Sequence, residues 1–419
     1  MVPGLLLFSG GFMALDLDFV RAQFPAFQAQ ALQGQAFFEN AGGSYPCRQV
    51  IDRLTRYYTE RKVQPYGPYA ASRLAGAEMD EARARMAAIL GVARDELSFG
   101  PSTTQNTYVL SQAFRQWMDQ GDAIIVTNQD HEANTGPWRR LADAGFEVRE
   151  WQINPETGHL DPADLSRLLD EKVRLVCFPH CSNVVGEIND VAAITKLAHE
   201  AGALVCVDGV SYAPHGFADI GVLGPDFYLF SAYKTYGPHQ GLMVTRGEPT
   251  RMLPNQGHYF NADKLYKRLT PAGEDHAQVA ASAGMADYID ALYDHHIGQA
   301  ASPAQKGRAI HDLMRTQEEA LLQPLLDYVS AKNSVRLIGP SDAAKRAPTV
   351  TLALQGHAGE AAATLAEHGV MAGGGDFYAV RALEAMGVNM EKGVLRLSFV
   401  HYTSQAEVDQ LMNALDHIL

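Results

Sequence analysis

Short apolar runs alternate with amphipathic segments through the middle of the chain. A parallel sheet is covered by helices on both faces and its strands are apolar along their length, so these runs predict strands. The predicted strands are 123–127, 173–178, 203–208, 226–230 and 242–245. Too few residues separate the last two strands for a helical crossover, so we predict that this pair is antiparallel.

The segments between the strands have the apolar spacing of helices. Residues 191–201 repeat apolar side chains on one face, with Asp190 placed as N-cap and Gly202 placed after the last turn. Residues 78–90 show the same spacing and also end before a glycine. Strands and helices that alternate in this way predict an α/β fold with a mostly parallel sheet.

The pattern changes beyond residue 300 and predicts a second, smaller α/β lobe. Its predicted elements are strand 349–354, a helix near 359–369, strand 394–399 and helix 404–418. Ser404 and Glu407 have the spacing of a capping box at the last helix. We expect residues 13–40 to pack with this lobe, and we place a large domain at 41–295 and a small domain at 296–419.

Composition narrows the class of protein. Residues 1–12 are predicted to be an N-terminal extension, and they lack the cationic start of a secretory signal. No run approaches the roughly 20 apolar residues that cross a bilayer. The net charge of −14 argues against a nucleic-acid partner, which requires a basic face. The 4 cysteines show neither zinc-ligand spacing nor a disulfide framework, so we expect no metal site and a reducing, cytoplasmic location.

Polar residues follow the predicted strands, at the edge where open α/β sheets bind ligands. Asp208 ends the third strand. Lys234 follows the fourth, and a lysine so close to a buried strand loses hydration, which lowers its pKa and makes its amine a nucleophile. Thr103 or Thr104 could cap a helix whose free amides form a phosphate cradle. Each feature also has an ordinary explanation, as a turn aspartate, a solvated lysine or a helix cap.

Two more polar residues follow strands in the same way. His131 comes after the first strand and could stack on an aromatic ring or move a proton near neutral pH. Asn183 comes after the second strand and could donate a hydrogen bond to a phenolate oxygen. Each is a weak indication by itself.

The order of these motifs strongly resembles that of the class V aminotransferases, which are fold type I pyridoxal-phosphate enzymes. The motifs are TT, DH, HxSN, DG and SxYK, within a resemblance that runs from FFENAGGSYP (37–46) to LRLSFVHYTSQAEVD (395–409). That group includes cysteine desulfurases, selenocysteine lyases and isopenicillin epimerases. The resemblance implies a large domain with a mostly parallel seven-stranded sheet, a smaller C-terminal α/β domain, pyridoxal 5'-phosphate as cofactor, and a homodimer with active sites at the subunit interface.

The resemblance also implies catalytic and cofactor-binding roles. Lys234 would carry the cofactor as a Schiff base and move the substrate's α-proton, while Asp208 would keep the pyridine nitrogen protonated. His131 would stack on the ring. Further cofactor contacts would come from Thr103, Thr104, Asn183, Ser211, Ser231, Tyr233 and Gly273.

Substrate binding is implied for a second set of residues. Arg396 matches the arginine that binds the substrate carboxylate in this group through two parallel N–H donors. Asn40 and Gly43 would lie close to the substrate. The resemblance places Tyr66, Tyr69 and Arg73 at the subunit boundary.

The chain departs from its relatives at several positions. Residues 369–383 contain no cysteine, where cysteine desulfurases carry the one that accepts sulfur as a persulfide. Tyr233 stands where a histidine usually precedes the lysine, and Ser211 where a glutamine often follows the aspartate. Gly273 stands where a threonine commonly reaches the neighbouring subunit's phosphate.

We therefore predict an enzyme that acts on an amino acid or a related primary amine, with amino transfer through an external aldimine as the leading reaction. The alternative is a C–S or C–Se lyase, or an epimerase, that uses no persulfide cysteine. A cofactor-binding protein without turnover is a second alternative, against which the full set of Lys234, Asp208, His131 and Arg396 argues. A dinucleotide enzyme is set aside because no GxGxxG turn follows a first strand.

Overall fold

The structure, a computed structural model, describes residues 14–419, and the predicted extension at 1–12 lies outside the described residues. Strands are numbered in chain order. They are β1 (Ala36–Phe37), β2 (Leu97–Gly100), β3 (Ala123–Thr127), β4 (Glu147–Trp151), β5 (Val173–Pro179), β6 (Leu204–Asp208), β7 (Phe227–Ser231), β8 (Gly241–Thr245), β9 (Val335–Ile338), β10 (Thr349–Leu354), β11 (Val370–Met371), β12 (Gly373–Gly375) and β13 (Val394–Ser398).

Helices are numbered in the same way. They are α1 (Leu17–Ala22), α2 (Arg48–Arg56), α3 (Ala70–Ile89), α4 (Thr103–Trp117), α5 (Glu132–Arg139), α6 (Pro162–Leu168), α7 (Val191–Glu200), α8 (Ile220–Leu223), α9 (Gly247–Met252), α10 (Leu265–Arg268), α11 (His276–Ala281), α12 (Ala283–His296), α13 (Pro303–Ser330), α14 (Ala358–Glu367), α15 (Val380–Ala385) and α16 (Gln405–Leu415). The capping box predicted for the last helix is confirmed. The predicted start of a helix at residue 78 is wrong, because α3 already begins at Ala70.

Strands β2 to β8 form one seven-stranded sheet in the order β2-β8-β7-β6-β5-β3-β4. Strands β3 to β7 pair in parallel, whereas β8 is antiparallel to both of its neighbours. The predicted α/β fold, its mostly parallel sheet and the antiparallel pair are thereby confirmed. All five predicted strands are present, and β2 and β4 complete the sheet at its two edges.

Two cores cover the faces of this sheet. Side chains of a strand alternate between its faces, so Ile124 and Val126 of β3 pack into one core while Ile125 packs into the other. The carboxyl ends of β5, β6 and β7 lie side by side, because these three strands are parallel neighbours. This geometry brings the residues that follow each strand to one edge of the sheet.

The C-terminal part of the chain adds a four-stranded antiparallel sheet in the order β12-β13-β10-β9. The N-terminal segment packs with this part of the chain, since β1 pairs with β11 in a separate two-stranded parallel sheet and Glu39 forms a bridge with Ser398 of β13. The domain boundaries stay predictions. Within residues 14–419, no helix has both the length and the apolar character that crossing a bilayer requires.

Candidate active site

Two adjoining cavities, of about 60 and about 540 Å³, lie where β5, β6 and β7 end. We call the smaller one the inner cavity and the larger one the outer cavity. The inner cavity is lined by nine of the residues that the sequence predicts for catalysis or cofactor binding: Thr103, Thr104, His131, Asn183, Asp208, Ser211, Ser231, Tyr233 and Lys234. Lys234 lines both cavities, and Arg396 lines the outer one.

Lys234 ends a single 3-10 turn that directly follows β7. The side chain is buried, and its backbone oxygen accepts a hydrogen bond of 2.7 Å from the hydroxyl of Ser44. Burial, and to a smaller extent the Arg396 cation, lower the pKa of Lys234, the Asp208 carboxylate opposes both effects, and the resulting pKa is about 8. A neutral amine, which is the nucleophilic form, is therefore accessible near physiological pH.

Asp208 occupies the last position of β6, as the sequence predicts. One of its oxygens, Oδ1, accepts a hydrogen bond of 2.8 Å from the amide of Val210, and burial raises the pKa of the carboxyl to about 6. A second buried carboxyl, that of Asp130, lines the same cavity. Burial and the nearby Asp208 charge raise the pKa of Asp130 well above its usual range.

His131 is the N-cap of α5, and its Nδ1 accepts a hydrogen bond of 3.0 Å from the amide of Ala133. Burial lowers the pKa of His131 to about 3, with smaller contributions from the cations Lys234 and Arg396. The imidazole is therefore neutral at physiological pH. A neutral, half-buried ring that lines both cavities is suited to stacking on a flat aromatic ligand.

The start of α4 brings three predicted phosphate ligands together. Thr103 Oγ1 and Ser231 Oγ are 2.8 Å apart, and Thr104 lines the same cavity. The prediction that one of the threonines caps the helix is wrong. Ser102 is the N-cap and accepts a hydrogen bond from the amide of Gln105, which leaves both threonines in the first turn of the helix.

A glycine allows the helix start to approach the sheet. A Cβ added at Gly241, in β8, would lie 2.4 Å from the backbone carbon of Ser102 and 2.6 Å from the backbone nitrogen of Thr103. Backbone atoms cannot move aside as the end of a flexible side chain does. A glycine at position 241 therefore allows the start of α4 to lie this close to β8.

Arg396, on β13, is buried at the wall of the outer cavity. Its Nη2 donates to Glu39 Oε1 at 2.7 Å, its Nη1 donates to the backbone oxygen of Asn183 at 3.4 Å, and its guanidinium carbon lies 3.9 Å from the centre of the Phe377 ring. The Asn183 side chain donates to the backbone oxygen of Phe377 at 2.9 Å. Arg396 is thus held by groups from three separate segments of the chain.

Phe377 and Tyr378 are consecutive and both adopt the left-handed region, with φ of 52° and 57°. This conformation costs non-glycine residues about 1–2 kcal/mol each. Contacts to the large lobe hold it, because the amide of Glu132 donates to the backbone oxygen of Tyr378 at 2.8 Å. The Tyr378 ring lies 5.4 Å from that of His131. Both residues line the outer cavity.

The remaining predicted residues lie at different distances from the cavities. Asn40 is buried and its amide is used within the protein, where it donates to the backbone oxygens of Phe37 and Ser398. Gly43 packs against Tyr233, with an added Cβ 3.5 Å from that ring. Gly273 is exposed, with open space around it. Roles at the site for these three residues stay predictions.

The sequence analysis assigned no role to several residues that line the cavities, among them Glu39, Asp130, Phe377 and Tyr378. Asp130 gave one available signal, since it directly precedes His131 in the DH motif, three residues after the predicted strand 123–127. The other three reach the site through contacts between distant segments, such as the Glu39–Arg396 pair. The spacing of residues within one segment does not indicate a contact between segments that are far apart in the sequence.

The fold and the site together define an α/β protein with a buried lysine of lowered pKa at the carboxyl edge of its central sheet. Residues 36–255 and 304–411 match the sequence model of the family described as aminotransferase class-V. This match covers more than half of the chain. The chain belongs to the class V aminotransferase family, whose members are pyridoxal-phosphate-dependent enzymes.

Individual relatives agree with this assignment. The chain is 34% identical to an aminotransferase-like protein of Gibberella zeae, over 97% of this chain and 99% of that protein. It is 30% identical to a cysteine desulfurase of Pectobacterium atrosepticum, over 97% of this chain and 98% of that protein. The apo structure of a cysteine desulfurase from Thermococcus onnurineus superposes with a TM-score of 0.83 at 22% identity, covers 98% of this chain and 99% of that one, and supports the fold.

Proposed function

We propose that this chain binds pyridoxal 5'-phosphate and transfers the amino group of an amino acid or a related primary amine. The observation that carries the proposal is that one cavity gathers a buried lysine amine, a buried carboxylate, a neutral imidazole and the hydroxyls at a helix start. These groups match the aldehyde, pyridine nitrogen, ring face and phosphate of the cofactor. The donor set therefore fits the cofactor chemically.

Each residue has a task in this proposal. Lys234 holds the cofactor and moves the proton at the amine-bearing carbon of the substrate. Asp208, largely ionised at neutral pH because its pKa is about 6, keeps the pyridine nitrogen protonated. When bound, the cofactor supplies an electron sink for the substrate's amine-bearing carbon. His131 covers the ring face.

The remaining side chains position the two ligands. Thr103, Thr104 and Ser231 hold the phosphate, assisted by the amides at the start of α4. Asn183, Ser211 and Tyr233 complete the lining of the cofactor cavity. The guanidinium of Arg396 binds a substrate carboxylate where one is present.

A lyase that breaks a C–S or C–Se bond, or an epimerase, is the second candidate. Similarity to a cysteine desulfurase favours the lyase. A route through a persulfide is disfavoured because residues 369–383 contain no cysteine, and because burial raises the pKa of Cys181, the cysteine that lines the inner cavity, to about 12. A lyase on this site would therefore release its product without passing sulfur to the protein.

The central test is to locate the cofactor. The protein is incubated with pyridoxal phosphate, reduced with borohydride and digested, and the peptides are measured by mass spectrometry. We expect the added mass on Lys234 and its loss in Lys234→Ala, because Lys234 is the only lysine among residues 14–419 that lines either cavity. Lys196→Ala removes an exposed lysine from α7 and should retain the label. Labelling of Lys234→Ala to the wild-type extent would contradict the proposal.

The proposal includes a homodimer in the cytoplasm. Tyr66 and Tyr69, which the family resemblance assigns to the subunit boundary, are 60% and 50% exposed in the single chain. Gly273 is exposed as well, as a backbone donor to a neighbouring subunit's phosphate requires. Free thiols at all four cysteines fit a reducing compartment.

A further inference from the structure

The carboxylate-binding position on Arg396 is already filled by a side chain of the same protein. Glu39 Oε1 lies 2.7 Å from Arg396 Nη2, and the arginine side chain is 5% exposed. Arg396 also stacks on Phe377. A substrate carboxylate that used Arg396 as a two-donor fork would have to take the place of Glu39.

The backbone around Glu39 leaves room for its carboxylate. A Cβ added at Gly42 would lie 2.8 Å from Glu39 Oε1, and one added at Gly373 would lie 2.8 Å from Glu39 Oε2. Because Gly42 and Gly373 carry no Cβ, they leave the space that the Glu39 carboxylate occupies. This space lies between the N-terminal segment and β12 of the small lobe.

The ion pair with Arg396 holds the Glu39 carboxylate in this position. Glu39 Oε2 is buried and accepts no hydrogen bond from residues 14–419. A buried carboxylate oxygen without a partner is costly, so the pairing of Oε1 with the guanidinium offsets that cost. Two carboxylates that compete for one guanidinium would also repel each other. An incoming carboxylate must therefore displace Glu39 from Arg396.

We propose that Glu39 is a specificity-determining residue that neutralises Arg396 when no substrate carboxylate is bound. On this view the site takes primary amines that lack a carboxylate on the amine-bearing carbon, and it takes amino acids only when they displace Glu39. The inference rests on the proposed function, since it assumes that the amine reacts beside Lys234. It assigns a substrate class to that function.

Three small ligands distinguish the contribution of the amine of a substrate from that of its carboxylate. Alanine carries both groups, ethylamine lacks the carboxylate and propionate lacks the amine. Propionate affinity is measured by titration calorimetry on the protein with and without cofactor, so one readout is independent of turnover. The ratio kcat/KM is then compared for alanine and ethylamine.

The test variant is Glu39→Gln, which keeps the size of the side chain and removes its charge. We expect it to bind propionate about tenfold more tightly than the wild type, a change of about 1.4 kcal/mol, because propionate no longer displaces an anion. The ratio of kcat/KM for alanine to that for ethylamine should rise by a similar factor. Glu39→Asp keeps the charge but shortens its reach, so it should give intermediate values.

The matched control is Glu132→Gln. Glu132 lines the same outer cavity, but it pairs with Arg381, at 3.5 Å. Its neutralisation removes the same charge from the same cavity without freeing Arg396. Propionate affinity should therefore change by less than about threefold, as expected for an exposed charge.

Two results would overturn the inference. One is a propionate affinity that is equal in the wild type, Glu39→Gln and Glu39→Asp, each shown to be folded by its unfolding transition. The other is an equal gain in Glu132→Gln, which would indicate a general charge effect. Failure of the cofactor to attach to Lys234 would instead contradict the proposed function, and propionate binding to the cofactor-free protein would still decide the role of Glu39.

Discussion

At the scale of single residues, the charge state of Lys234 is the feature with the most direct consequence. Its pKa is lowered to about 8, first by burial and second by Arg396, while Asp208 and Glu39 act in the opposite direction. Only the neutral amine has a free electron pair, and its fraction grows as the pH rises through the pKa. The nucleophile is therefore available at a lower pH than in an exposed lysine.

A pH series on the cofactor-free protein tests this state. The rate at which pyridoxal phosphate attaches, followed by visible absorbance after rapid mixing, should increase with pH and reach half of its maximum near pH 8. Arg396→Met removes a cation that disfavours the ammonium form, so its midpoint should move to higher pH. Glu39→Gln removes an anion and should move the midpoint to lower pH. A midpoint at the pKa of an exposed lysine would show that burial does not control this amine.

The sequence indicates which side chains follow strands, and the structure brings two of them, Asp208 and Lys234, to one cavity at the ligand-binding edge of the sheet. Their catalytic roles stay predictions. Glu39 was missed because its partner, Arg396, is far away in sequence and only the folded chain brings the two together. The helix cap was assigned to the wrong residue because Ser102, Thr103 and Thr104 are adjacent and all three can cap a helix.

At the scale of elements, the position of α4 against β8 depends on Gly241. Gly241→Ala should push the start of α4 away from the sheet, because the new Cβ would meet backbone atoms of Ser102 and Thr103. We expect a loss of about 1–3 kcal/mol in the free energy of unfolding, as is typical of overpacking. Denaturant titration measures this loss, and calorimetry with inorganic phosphate should show weaker binding at the displaced helix start.

Gly359→Ala is the control for this variant. It adds the same Cβ near the start of α14, where no atom lies within 4 Å. Its unfolding free energy should stay within about 0.5 kcal/mol of the wild type. Equal stability and phosphate affinity in the two variants would show that the contact at Gly241 does not set the position of α4.

The elements that the sequence revealed are those with a strong apolar signal. Strand β4 was missed because its sequence, EVREW, carries three charges, which an edge strand tolerates. Strand β12 consists of three glycines and gives no apolar signal at all. The early start of α3 was missed because its first turns are rich in small residues, AASRLAGA, without a marked apolar face.

At the scale of the whole molecule, the proposed homodimer can be measured directly. Light scattering on a sizing column should give twice the chain mass of 45.6 kDa. Tyr69→Glu should shift this mass toward that of the monomer, because it buries a charge at the proposed boundary. Val222→Glu, at an apolar position on α8 that is 73% exposed, should leave the mass unchanged. A wild-type protein that elutes as a monomer would contradict the proposal.

The long helix α13 contributes side chains to two hydrophobic cores. Ile310 and Met314, in its first half, pack into a core of the large sheet, whereas Leu322 and Leu326, in its second half, pack into the core of the small lobe. If either core melted, the helix would lose half of the packing that supports it, and helices depend mainly on such packing. The two lobes are thereby coupled during denaturation. We therefore expect the two cores to lose their packing over the same range of denaturant, and the outer cavity, which takes residues from both lobes, to be lost with them.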